Sequence, residues 1–277
     1  MKRLSTLQNL VQRHDPDRYL LSLFAPARHR AALWALYAFN HEIAKTRELV
    51  TETTMGLIRL QWWRDAIGEI YEGDKSPRQH EVVLELAKAI EAYDLPREPF
   101  DNLIYAREFD VEGVAPANIE GLMKYCEYTS VPLFDLTLKI VGQAVGQNGD
   151  NDTVLVDISK RYALIGVIRS VPYRLSQRQV LLPQDVLAEF NLNEEKLFNF
   201  KNKEDISKVI KTIVVDKMGK DKVRKDQRKQ SIPPFMQKVA HMTALYEAQL
   251  RALEYDVFDP KMTIAPKFLA LRLWAGF

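Results

Sequence analysis

The sequence predicts an all-α protein, and three observations lead there. Apolar residues recur at spacings of three and four along most of the 277 residues, as helices with one buried stripe require. Glycine (11) and proline (13) are too few for the many turns of an all-β chain. No internal repeat, low-complexity stretch or linker divides the chain. Residues 1–277 therefore read as one domain, above the usual size of about 100–150 residues but within reach of a single helical core.

The elements follow in order. Pro26 opens a helix from Ala27 to about Leu49, since a missing N–H costs nothing in a first turn. Leu33, Leu36, Tyr37, Asn40, Ile43 and Ala44 form its inward stripe. Thr53 or Thr54 caps a second helix carrying Leu57, Leu60, Trp63, Ile67 and Ile70, which Gly73 stops. A third runs from Gln79 to Tyr93 and a fourth from Pro96 to Phe109. Asn118 to Ile140 follows, with a bend predicted at Pro132, and Thr153 to Val171 is closed or kinked by Pro172. Gln179 to Pro183 reads as a loop with one packed edge. The last helices span Pro234 to Tyr255 and Pro266 to Trp274.

Composition narrows the function. Hydrophobic residues at 47% and charged residues at 27% describe an ordinary globular chain and exclude disorder. Lys+Arg 39 against Asp+Glu 37 leaves +2, so no overall field argues for nucleic acid. The single Cys126 excludes an internal disulfide and a cysteine-rich metal site and fits a reducing compartment. The longest apolar stretch, Ala31 to Phe39, is far short of the roughly 20 residues of a spanning helix. Ser5, Thr6, Gln8 and Asn9 stand where a signal peptide needs an apolar block. The expectation is a cytoplasmic or matrix-type setting, with membrane contact from one side.

One segment departs from this background. Lys201 to Lys229 holds 11 basic residues against five acids. It reads as a solvated face and connection, or more sharply as a patch for anionic lipid or an acidic protein. No aromatics are interleaved to stack on bases.

Common catalytic signatures are absent: no glycine-rich phosphate loop, no G-x-S-x-G and no H-E-x-x-H occurs. The five histidines (14, 29, 41, 80, 241) lack metal-ligand spacing. Acids four apart do occur, at Glu48 and Glu52, Asp65 and Glu69, Glu81 and Glu85, and Glu108 and Glu112. Such pairs arise readily in charged helices.

Two stretches carry more: Leu33-Trp34-Ala35-Leu36-Tyr37-Ala38-Phe39-Asn40-His41, and Ile168-Arg169-Ser170-Val171 through Val180-Leu181-Leu182-Pro183-Gln184-Asp185. With Leu60-Gln61-Trp62-Trp63-Arg64 through Tyr71-Glu72-Gly73 between them, their order and separation resemble the squalene/phytoene synthase family. The resemblance covers almost the whole chain. It implies an all-α isoprenoid synthase fold, a single domain with a central cavity.

In active members of that family the first motif runs into an arginine and a D-x-x-x-D, and the second is an arginine followed by another D-x-x-x-D. Those acids hold Mg²⁺, a hard ion that takes oxygen ligands and neutralises a departing diphosphate. Carried over, the first arginine falls on His41 and its acids on Ala44 and Glu48, with Lys45 beside them. The second motif keeps Arg169, but its acids fall on Ser170 and Arg174. The lost acid positions are thus Ala44, Ser170 and Arg174. A like charge beside a metal site adds repulsion of about 4 kcal/mol at about 4 Å in an effective dielectric near 20. Neither catalytic residues nor a bound metal are expected, and no cofactor.

The departures have their own resemblance. Phe39-Asn40 followed by Glu42, Gly56-Leu57-Ile58-Arg59 with Gln61-Trp62, and Arg169 followed by Val171-Pro172-Tyr173 resemble a non-catalytic branch. That branch is the sixth NADH dehydrogenase (ubiquinone) complex I assembly factor of mitochondria and its bacterial relatives. It implies a pseudoenzyme acting in respiratory complex I assembly at the inner-membrane surface, with complex I subunits or other assembly proteins as partners. An anionic membrane surface is a further expected partner. Tyr37, His41, Lys45, Glu48, Arg169 and Arg174 then read as a vestigial pocket that binds an anion, or as leftovers solvated or paired with Glu42, Glu48 and Asp65. An isoprenoid or lipid ligand fits the same pocket. The alternative is an active Mg-dependent prenyl transferase with an altered metal site.

Overall fold

A computed structural model describes residues 5–73, 76–143, 149–199, 202–215 and 232–275. Contacts divide the protein into two compact units, Met1–Glu112 with Tyr128–Gly146, and Gly113–Glu127 with Gln147–Phe277.

In the first unit, α1 (Thr6–His14) starts where the Ser5 hydroxyl accepts from the Gln8 amide at 3.1 Å. The next helix, α2 (Pro16–Leu23), starts where the Asp15 carboxylate accepts from the Arg18 amide. These side chains satisfy donors that a helix N-terminus leaves unpaired. α3 (Ala27–Ala44) ends at Lys45, and α4 (Thr46–Leu49) is a separate turn. The single helix expected to Leu49 is therefore interrupted at Lys45, where φ is -75° and ψ -2°. α5 (Thr53–Glu72) stops at Gly73, whose φ of 72° suits a residue without Cβ. α6 (Glu81–Tyr93), α7 (Glu98–Glu112) and the part of α8 (Ile119–Ile140) from Tyr128 complete the unit.

Helix α3 is buried on nearly every side, not along one stripe, and packs against α1, α2, α6 and α7. Phe39 meets Trp63 and Phe100 edge-on, each at 5.6 Å between ring centres, a favoured aromatic geometry. Gly56 lets α5 approach α7, since a Cβ there would lie 2.6 Å from a Val111 methyl.

The second unit holds the start of α8, then α9 (Gly149–Ser176), α10 (Gln184–Glu189), α11 (Glu194–Phe198) and α12 (Lys203–Ile213). α13 (Pro234–Ala252), a 3₁₀ turn (Pro260–Thr263) and α14 (Leu269–Ala275) follow. α13 lies against α9 and α14. Pro172 does not close α9, which continues to Ser176. It ends in a left-handed cap at Arg178 (φ 54°), with Gln179 N–H donating to the Arg174 carbonyl at 2.9 Å. The Gln179–Pro183 loop has the expected packed edge: Leu181, Leu182 and Pro183 are buried. Next to it, the Gln184 amide donates to the Pro116 carbonyl at 2.9 Å.

Of the basic run, Lys203, Lys208 and Lys211 lie on α12, whose other face buries Ile206, Val209, Ile210 and Ile213. Lys201 and the bases from Lys217 to Lys229 fall outside the described residues. No helix among the described residues is long and apolar enough to cross a membrane.

Candidate functional site

The first motif lies on α3. Tyr37, Ala38 and Phe39 are fully buried, so the aromatic-alanine-aromatic segment is core. The Tyr37 hydroxyl pairs with Thr137 Oγ1 at 3.3 Å. Burial, the largest influence, drives its acidity far down and leaves the phenol protonated.

One and two turns on, the side chains are polar but engaged. His41 is half-buried and stacks on His14, ring centres 4.6 Å apart. Burial first, then His14 and Lys45, lowers its pKa, so the ring is neutral at pH 7. No permanent positive charge stands where the resemblance places an arginine. Lys45 pairs with Glu42, which also accepts from Arg59 at 3.1 Å. Glu42 is only 6% exposed, so its carboxylate is offset by two cations. Nearby, buried Arg107 donates to Asp110 at 3.1 Å and to Asn40 at 3.4 Å. Ala44 contributes only a methyl group, and Glu48 points to solvent on α4.

The second motif lies on α9 in the other unit. The Arg169 guanidinium sits over the Tyr246 ring at 3.6 Å, a cation–π contact with α13. Ser170 donates to the Val167 carbonyl at 2.7 Å and accepts from Arg174 Nε at 3.2 Å. Arg174 also donates to Gln179 Oε1 at 3.2 Å and to the Tyr125 hydroxyl at 3.4 Å. Arg169 and Arg174 share a helix but take different partners. Farther along α9, Asp157, Lys160 and Arg161 border a cavity of about 310 Å³ together with Glu120, Lys124 and Glu127. Lys160 pairs with Glu127 at 2.7 Å, while Arg161 reaches buried Glu247 at 3.3 Å.

These donors do not fit a Mg²⁺ cluster. Mg²⁺ requires near-octahedral oxygen ligation, whereas the relevant positions present a methyl, an outlying carboxylate, an engaged hydroxyl and a guanidinium. Among the described residues, no group of three His, Cys, Asp or Glu side chains is placed to hold a metal. Cys126 offers no nucleophile, because burial pushes its thiol up to about 12.

The sequence profile of squalene/phytoene synthase matches residues 11–266. The chain belongs to the squalene/phytoene synthase family. Within the family it is 30% identical over 273 residues to NADH dehydrogenase (ubiquinone) complex I, assembly factor 6 of Homo sapiens, covering 96% of this chain and 80% of that protein. The chloroplastic phytoene synthase of an Oncidium hybrid cultivar is 24% identical over 192 residues, 66% of this chain and 44% of its own. The squalene synthase HpnC from Alicyclobacillus acidocaldarius superposes with a TM-score of 0.72 at 19% identity, covering 90% of this chain and 93% of that one. The family fold predicted from the two motifs is the fold observed. Sequence reasoning missed Tyr125, Gln179 and Tyr246, the partners of the motif arginines. Only Gln179 adjoins a motif in sequence; the other two reach α9 through tertiary packing, which leaves no local period to read.

Proposed function

We propose that the chain is a catalytically silent family member acting in respiratory complex I assembly at the inner-membrane surface. The observation that carries the silent half is Arg174. A cation occupies an acid position and is held there by Ser170, Gln179 and Tyr125, so the charge is built in rather than swung aside. Support for the assembly half comes from relatives carrying that name over 96% of the chain. Its partners are then complex I subunits or other assembly proteins. In the same reading, Arg169 and Arg174 supply charge-assisted hydrogen bonds to an anionic headgroup or prenyl phosphate. The basic run adds attraction to anionic lipid.

Deleting the gene in its own host tests the assembly half. Assembled complex I should fall severely on native gels while succinate dehydrogenase stays constant. Wild type and Glu48→Gln should both restore it, since silent function makes no use of that acid. Normal complex I after deletion, or failure of Glu48→Gln to rescue, would contradict the reading.

A further inference from the structure

Helix α14 is apolar on two opposite faces, and only one of them is covered. Leu269 and Leu273, four residues apart, are 6% and 0% exposed and turn toward α13. Leu271 and Trp274 of the helix are 58% and 75% exposed, and Ile264 and Phe268 just before it are 64% and 75% exposed. A helix apolar all round is normally buried. This one is nonetheless rigidly placed. Gln249 donates to the Lys261 and Ile264 carbonyls at 2.7 and 3.0 Å, and Lys238 donates to the Leu273 carbonyl at 2.6 Å.

Backbone conformation adds an independent observation. Phe268 has φ of 57°, a left-handed conformation that a bulky residue adopts only at a cost. Glycine would take it freely. The ring gains nothing from burial in return, being among the most exposed side chains described. Such retained strain points to a task for the displayed side chain.

Charge selects the occupant. From Pro260 to Ala275 there is no acid, while Lys261, Lys267 and Arg272 are interspersed in sequence with the exposed apolar residues. Aromatic and aliphatic side chains interspersed with bases, with no acids, match a lipid–water interface bearing negative headgroups. The displayed face amounts to about 500 Å², taking roughly 150–250 Å² per aromatic ring. That falls below the roughly 800 Å² per partner of a standard protein interface.

We propose that Ile264, Phe268, Leu271 and Trp274 insert into the headgroup region of an anionic bilayer, with Lys261, Lys267 and Arg272 at phosphate level. This deepens the membrane-surface part of the reading above and rests on that part alone; it is indifferent to whether the chain is silent.

The full chain is mixed with vesicles of 70% phosphatidylcholine and 30% phosphatidylglycerol, and binding is read by flotation. Shallow brominated lipid should quench part of the tryptophan emission, and Trp274→Phe should remove that quenching. Phe268→Gly should lower partition about tenfold while thermal stability holds or rises, since the variant relieves strain. Phe268→Ser with Leu271→Ser and Trp274→Ser should nearly abolish binding. Wild-type binding that survives in the triple variant would overturn this inference and leave lipid contact to the basic run. Absence of binding by the wild type would overturn the membrane reading as well. A concentration-dependent dimer lost in the triple variant, without vesicle binding, would assign the face to a second copy and overturn the proposal.

Discussion

The two motif helices differ in what stands at the positions where the family resemblance places acids. The first motif has a methyl at Ala44, the last residue of α3, and a solvent-facing carboxylate at Glu48 on α4. Helix α3 is core, and its one buried acid, Glu42, serves Lys45 and Arg59. On α9 a cation, Arg174, stands at such a position among the polar partners Ser170, Gln179 and Tyr125. The first motif is structural, so its disruption should be read as stability. The second keeps two arginines in a polar setting, so its disruption should leave the fold largely intact.

Paired substitutions sharpen that contrast. Glu42→Ala should cost about 2 kcal/mol, less than the ~3–5 kcal/mol of a fully buried broken pair, because Lys45 and Arg59 retain 25% and 34% side-chain exposure and rehydrate. Arg174→Met keeps the apolar stem and gives up hydrogen bonds of 3.2–3.4 Å to neutral oxygens. Its cost should be smaller than that of Glu42→Ala, since the partners it leaves are neutral, half-buried groups that regain water, and no uncompensated charge is left behind. Urea unfolding of both variants checks this, and equal costs would break the comparison.

The smallest effect is pH-dependent. Burial lowers the pKa of His41, and of His29, below 6.5 in the folded chain. Below about pH 6.5 the unfolded chain therefore binds more protons than the folded one. The resulting stability is complete above that pH and is lost as pH falls through the folded values. His41→Gln should flatten part of this slope, and a slope unchanged by the variant would remove His41 from the account.

Much of this was legible in the sequence, for identifiable reasons. Strong periodicity and a glycine stop placed α5, observed from Thr53 to Glu72 with Gly73 as its C-cap, although Glu52 and not Thr53 or Thr54 stands at its N-cap; the ordered motifs predicted the fold. Pro172 was expected to close or kink α9 and does not close it, because a proline inside a long helix removes one backbone bond without ending the helix. The break at Lys45 was hidden because no glycine or proline marks it. The short helices α1, α2 and α10 to α12 carry too few turns for period alone to reveal them. At the site, residue identities showed which acids were missing. They did not show that His41 would be neutral, which depends on burial and on His14.

The central claim is that this family member has no site able to carry a Mg²⁺-bound diphosphate through ionisation. Incubating the protein with farnesyl or geranylgeranyl diphosphate and millimolar Mg²⁺, and measuring released diphosphate against a no-protein control, tests it most directly. The account predicts release at the control rate, with or without EDTA. Release above the control that EDTA abolishes, accompanied by a squalene- or phytoene-like product, would contradict it.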